Sequence, residues 1–238
     1  NDPAFWQAFC NTLILSLLNL LINFPLPILF AILLNEVQAV RFKKLVQTVS
    51  YMPRFISTVV VIAILSEMLS PSSGLINTFL QRQFGMSPIY FMNEPQYFRT
   101  LYVLTDTWQY TGWTAIIYLA AITGISSDMF EAATIDGAGA IRNFLQIMLP
   151  MCKPVLTAIT VFTFMGSWND FNGPLIYLYD ADKYTLALGL SFFKGLYTSK
   201  WNLLMAATVL VLLTVLIICF VAQDYIIDGI SISSGTKG

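Results

Sequence analysis

The chain has no histidine, only 11% charged residues and just three cysteines in 238 residues. Without histidine, His-based catalytic triads are excluded and the commonest metal ligand and proton shuttle is missing. Cys10, Cys152 and Cys219 are odd in number, far apart and set mostly in apolar sequence, so they point to packing and not to a disulfide framework or a metal site. No Gly-x-x-x-x-Gly-Lys-Ser/Thr run occurs, which assigns any nucleotide hydrolysis to another chain. A formal net charge of -1 offers no basic surface for nucleic acid. Residues 137–142, Gly-Ala-Gly-Ala-Ile-Arg, begin like a dinucleotide fingerprint, but a helical pattern precedes them and Arg142 occupies the last glycine position.

Apolar residues are what the chain has in abundance. At 57% hydrophobic it is a membrane protein by composition. Five apolar runs, residues 12–34, 52–70, 101–124, 155–171 and 203–222, are read as spans, because about 20 residues at about 1.5 Å each cross a hydrocarbon core of about 30 Å. In the first, Pro25 and Pro27 remove backbone donors and predict a kink, and Asn19 and Asn23, one turn apart, should face protein or water. Arg54 and Glu67 lie near the ends of the second and can snorkel to the interfaces. In the third, Asp106, Gln109 and Gly112 interrupt the outer half. A carboxylate there costs about 2.5 to 3.5 kcal/mol on insertion scales, so Asp106 should face a cavity or a partner.

The connections set the expected topology. Residues 35–50 carry Arg41, Lys43 and Lys44, the densest basic cluster, and read as a cytoplasmic loop. Residues 71–100 and 175–200 read as outer connections, with a short interfacial helix near residues 75–80, and residues 223–238 as a short inner tail. Five spans place Asn1 outside and Gly238 inside. The chain starts at Asn1 without a basic stretch before its first apolar run, so that start reads as a fragment or processed end and not as a signal peptide.

Residues 126–154 form the one long polar-and-small segment between spans that itself reads as two short helices. Asp128 is placed to cap the first, with Glu131 in capping-box spacing and Gly137 at the turn. Ile141, Phe144, Leu145 and Met148 form the apolar face of the second, which Pro150 should stop before Pro154 starts the next helix.

This segment resembles the EAA loop of the permease subunits of binding-protein-dependent ABC importers. The resemblance rests on Glu131-Ala132-Ala133, Asp136-Gly137-Ala138, Ile147, Leu149-Pro150 and Pro154. It implies that Glu131, Ala132, Ala133, Asp136, Gly137, Ile147, Leu149 and Pro150 couple the chain to a separate cytoplasmic ATPase. Residues 35–53 and 102–106 resemble the polysaccharide-type carbohydrate permeases, and residues 167–171, 183–189 and 201–207 resemble the companion maltose-type subunit, so the pairing partner stays open.

The implied protein is an all-α, polytopic transmembrane bundle, one permease domain over residues 1–238, multi-pass in the cytoplasmic membrane. Five spans are present of a six-span family pattern, the first being the missing one. It would be no enzyme and would bind no cofactor, ATP being used by the partner subunit. Its implied partners are cytoplasmic ATPase subunits, a second permease subunit, an extracytoplasmic solute-binding protein and membrane lipid, with no nucleic acid. Its implied solute is a carbohydrate, an oligosaccharide by preference.

Sugars present hydroxyls around a ring with apolar C–H faces, so their path should combine hydrogen-bonding groups with aromatic platforms. Asn19, Asn23, Asp106, Trp108, Gln109, Trp168, Asn169 and Asp170 are the candidate lining. The same asparagines also suit helix-to-helix hydrogen bonds, and the tryptophans suit interfacial anchoring. Two competing classes are a membrane-embedded enzyme, with Asp106, Glu67 and Asp170 as candidate acids, and a non-transporting scaffold that only docks a cytoplasmic partner.

Overall fold

In the computed structural model, which describes residues 3–135, 139–192 and 201–235, the first apolar run forms helices α1 (Pro3–Asn23) and α2 (Pro25–Glu36), separated by Phe24 alone. Pro25 and Pro27 have no N–H to return to the carbonyls one turn earlier, so the ladder breaks where the sequence predicts. The two helices still make one apolar segment, Pro3–Glu36, which starts well before residue 12.

Residues 35–50 are not a loop. They fold largely as α3 (Val40–Tyr51), followed by a 3-10 turn, Met52–Phe55, and by α4 (Thr58–Met68). The expected second span is therefore shorter than drawn. At about 1.5 Å per residue α4 alone is far shorter than a core of about 30 Å. It makes a crossing only together with α3, from which it is bent by 97°. The cause is local: Pro53 lacks a donor, and Ile56 and Ser57 are extended, with ψ of 132° and 137°.

The first outer connection holds α5 (Leu75–Phe84), ended by Gly85 at φ 63°, a left-handed cap that glycine adopts without strain. Asn77 on α5 is 1% exposed and staples this connection. Its amide donates to the carbonyls of Leu69 (2.8 Å), Ser70 (3.3 Å) and Ile89 (2.9 Å), and its Oδ1 accepts from the Ile89 N–H (2.9 Å). Helix α6 (Pro95–Thr123) follows, opened by a proline in its first turn, where no donor is needed.

Helix α7 (Ser127–Ile135) begins the EAA-like segment. Its cap is Ser126 and not Asp128: the Asp128 N–H donates to Ser126 Oγ at 3.2 Å, and Asp128 sits inside the first turn, where a carboxylate favours the helix dipole. Asp136, Gly137 and Ala138 lie outside the described residues.

Pro150 does not stop the next helix. Helix α8 (Ala140–Asn143) runs through a π-turn, Phe144–Met148, into α9 (Leu149–Trp168), with Pro154 inside. The Leu149 N–H reaches back five residues to the Phe144 carbonyl, a wider register that absorbs the ladder disturbed by two prolines.

Helix α10 (Asn172–Tyr177) leads into, and α11 (Leu186–Phe192) lies within, the connection of residues 175–200. That connection is anchored in the bundle: Thr185, Leu186 and Leu188 are buried, Thr12 Oγ1 accepts from the Leu186 N–H at 2.6 Å, and Gln7 and Asn11 donate to the Asp182 carbonyl. Helix α12 (Trp201–Gly235) runs on past residue 223, where the sequence predicts the start of an inner tail.

Three segments are apolar and long enough to cross a membrane, Pro3–Glu36, Phe144–Tyr177 and Leu204–Tyr225, and the bent α3 and α4 pair makes a fourth. Helix α6 is less apolar because of its polar residues, but its 29 residues exceed the length of a bilayer core. Each of the five expected spans thus corresponds to helix. Among the described residues there is no strand.

Helix α6 packs against α1, α2, α3 and α9, and α9 against α1 and α12. One apolar cluster, including Leu15, Ile62, Phe98 and Tyr102, closes the end of α6 near Pro95. A second, including Ala31, Tyr118, Ile122 and Cys152, closes the end near Thr123. Of the cysteines only Cys152 packs inside; Cys10 and Cys219 are exposed. Many large apolar side chains point outward, Leu21, Leu33, Phe220 and Val221 among them, as a lipid-facing surface requires.

Candidate functional site: a polar cavity at the proline break

Thr12, Ser16, Asn19 and Asn23 recur at helical spacing along α1, and all four are buried. The usual amphipathic order is inverted, because the solvent outside this bundle is lipid. Asn19 and Asn23 reach α6 at the end of this stripe. Asp106 Oδ2 accepts from Asn19 Nδ2 at 2.8 Å and from Asn23 Nδ2 at 3.1 Å. Asn19 also donates to Ser167 Oγ on α9, and Asn23 donates to Asn19 Oδ1. Asp106 therefore has the partners that its depth demands.

A second carboxylate is held nearby. Asp170 Oδ2 accepts from the Tyr102 hydroxyl at 2.8 Å, and its Oδ1 accepts from the Gly173 N–H at 3.2 Å. Glycine at 173 leaves room for this carboxylate: a Cβ there would stand 2.5 Å from Asp170 Oδ2 and 2.9 Å from the Tyr102 ring, so the Asp170 side chain would have to shift.

Both carboxylates line one cavity of about 380 Å³. Its wall includes Asn19, Asn23, Asp106, Gln109 and Asp170 from the expected path, so five of those eight residues come together. Three do not. Trp168 is 1% exposed and packed between Phe164, stacked at 5.4 Å between ring centroids, and Phe9, edge-on at 5.6 Å. Trp108 is half-exposed on α6 away from the cavity, and Asn169 is exposed, donating to the Met165 carbonyl at 3.0 Å. The aromatic wall is instead Tyr102, Tyr110, Trp113, Phe162 and Tyr177.

Arg54, read from sequence as an interfacial residue, also lines the cavity, its guanidinium 4.7 Å from the centre of the Tyr110 ring. Two contacts fix the turn that carries it. Gln109 Nε2 donates at 2.6 Å to the Ile56 carbonyl, which the break before α4 leaves outside any helix, and Phe55 meets Trp113 edge-on at 6.1 Å. Gly112 permits this approach: a Cβ there would lie 2.1 Å from the Ser50 carbonyl oxygen. Of the three acids considered for catalysis, Glu67 is not at the cavity. No group of three or more metal-ligating side chains occurs among the described residues.

In the EAA-like segment Glu131 is exposed on α7, one turn before the exposed Ile135, with Met129 exposed on the opposite side of the helix. Ala133, Ile147 and Leu149 are half-buried and Pro150 is exposed; the Ala132 side chain, with Asp136 and Gly137, falls outside what is described.

Residues 7–231 match the family described as binding-protein-dependent transport system inner membrane component. The chain belongs to this family. Like its other members it is a multi-pass inner-membrane protein. The polygalacturonan/rhamnogalacturonan transport system permease protein YteP of Bacillus subtilis (strain 168) is 44% identical over 160 residues, which cover 67% of this chain and 50% of that protein. The lactose transport system permease protein LacF of Rhizobium radiobacter is 32% identical over 173 residues, 72% of this chain and 57% of that one. The chain spans about half the length of these sequence relatives.

Among solved structures, a bacterial ABC transporter involved in the import of the acidic polysaccharide alginate superposes with a TM-score of 0.83 at 32% identity, covering 94% of this chain and 79% of that one. A bacterial alginate ABC transporter in complex with alginate pentasaccharide-bound periplasmic protein superposes at 0.82, also at 32% identity, over 93% and 78% of the two chains.

Proposed function

We propose that the chain is the permease subunit of an ABC importer that moves an oligosaccharide inward across the cytoplasmic membrane. The observation that carries the reading is a polar and aromatic cavity inside an otherwise apolar bundle of this transport family. Carboxylate and amide groups exchange hydrogen bonds with sugar hydroxyls, and the rings of Tyr102, Tyr110 and Trp113 offer flat faces for sugar C–H surfaces. In this reading Asn19, Asn23, Asp106, Gln109 and Asp170 line the solute path.

The proposed assembly pairs the chain with a second permease subunit, with cytoplasmic ATPase subunits that bind and hydrolyse ATP, and with an extracytoplasmic solute-binding protein. Closure of the ATPase pair pushes on the EAA-like segment, and the bundle exchanges inward-facing for outward-facing states. Glu131, exposed on α7 on the same face as Ile135, is suited to a basic group next to apolar surface on the ATPase. The continuous path from α8 through the π-turn into α9 supplies the stiffness that such a lever needs.

Purification of the assembly from its native membrane, followed by uptake in proteoliposomes, tests the proposal. Uptake should require ATP and the binding protein, and Glu131→Ala should weaken ATPase association and lower uptake by about tenfold, the loss of one charge-assisted bond. An ATPase that co-purifies without any solute flux would establish a docking scaffold instead. Full coupling in Glu131→Ala would show that this carboxylate plays no part.

A further inference from the structure

The cavity carries charge of both signs in a particular order. Among the described residues that line it, Asp106 and Asp170 are the two acids and Arg54 is the one cation. Each acid is already supplied with two donors, Asp106 with the amides of Asn19 and Asn23, Asp170 with the Tyr102 hydroxyl and the Gly173 N–H. Arg54, itself exposed, places its guanidinium over the face of Tyr110, and among the described residues no carboxylate forms an ion pair with it. Its place is built and not accidental, because the Gln109 bond to the Ile56 carbonyl and the Phe55 contact with Trp113 hold the turn that bears it.

Acceptors are the complementary surplus on the wall near the proline break. Asn23 is 5% exposed, and its Oδ1 is buried without a hydrogen-bond partner. Both amide bonds to Asp106 fall on Oδ2, which leaves Oδ1 without a partner among the described residues. Asp106 Oδ1 belongs to a residue on the cavity wall and is free to accept from a ligand hydroxyl, whereas Asn23 Oδ1 is enclosed and supports the site only through its amide bond to Asp106.

We propose that the cavity binds a uronic acid residue of the transported oligosaccharide, with Arg54 taking the sugar carboxylate and Asp106 accepting from its ring hydroxyls. This rests on the importer reading above. A uronate carries its carboxylate on one ring carbon and hydroxyls on the others, so one residue satisfies both walls. The volume of about 380 Å³ lies at the lower end of small-ligand sites, which run from about 300 to 1,000 Å³. A neutral sugar would answer the acceptors and leave the guanidinium without an anion.

The test compares uptake of trigalacturonate with uptake of the same trisaccharide after its carboxylates are reduced to alcohols, in proteoliposomes holding the chain with its native partner subunits. Arg54→Gln should lower the acidic-to-neutral uptake ratio by about tenfold or more, as loss of a charge-assisted pair predicts. Arg54→Lys should keep part of the preference, having the charge without the planar fork. Arg41→Gln, a basic residue away from the cavity, serves as the control for charge alone. An unchanged ratio in Arg54→Gln overturns the inference. Binding-protein-stimulated ATP hydrolysis without trigalacturonate uptake overturns it while sparing the importer reading, and absence of stimulated hydrolysis overturns the importer reading itself.

Discussion

Replacing Gly112 with alanine adds one methyl group at the tightest backbone approach around the cavity. The new Cβ would lie 2.1 Å from the Ser50 carbonyl oxygen and 2.4 Å from its carbon, about 0.9 Å inside the 3.0 Å limit that real Cβ contacts respect. The obstacle is backbone, so no rotamer change relieves it, and α3 must move away from α6. Overpacking of this kind costs about 1 to 3 kcal/mol, and the upper end applies where backbone must shift. Alanine recovers about 1 kcal/mol of helix propensity, leaving a net loss of about 2 kcal/mol. For a chain of this size that lowers the unfolding midpoint by roughly 4 to 8 °C. Gly166 on α9 is the internal control, because a Cβ there meets nothing within 4 Å, and Gly166→Ala should hold or raise the midpoint. Thermal unfolding of the detergent-solubilised protein, followed by labelling of the buried Cys152, reads both. A Gly112→Ala variant as stable as Gly166→Ala would refute the claim that α3 and α6 touch at this point.

Asn77→Ala should remove the staple of the first outer connection at a cost of about 2 kcal/mol, since three carbonyls and one N–H lose their partner. Faster protease cleavage within residues 85–94 would register it, and an unchanged cleavage rate would count against the staple. Gly173→Ala should drive Asp170 away from Tyr102, because the added Cβ occupies the space of Asp170 Oδ2. If that is the whole effect, Tyr102→Phe lowers stability by a similar amount of about 1 to 2 kcal/mol and the double variant is little worse than either single one; full additivity would separate the two residues.

Composition and hydropathy alone were enough for the all-α membrane class, because a bilayer demands about 20 apolar residues per crossing and closes every other backbone option but a barrel. The proline break was legible for a similar reason: a missing N–H acts on its own helix and needs no neighbour. Asn19 and Asn23 could be placed inward because their spacing is one turn. Asp106 could be placed in a cavity because a carboxylate in lipid has nowhere else to go.

What the tertiary structure alone decided is which faces meet. Trp168 and Tyr110 are both aromatic residues near polar ones in sequence, yet Trp168 faces Phe9 and Phe164 in the core, and Tyr110 faces Arg54 in the cavity. The sequence reads residues 35–50 as a loop from their basic cluster and 52–70 as a span from their hydropathy, because neither signal registers that Pro53 and two extended residues turn the chain by 97°. The cap on α7 moved from Asp128 to Ser126 by two residues, within the range over which several side chains can serve the same orphan donors. Arg54 owes its place to Gln109 and Gly112, more than fifty residues away along the chain, and contacts across that separation are set by packing and not by any local period.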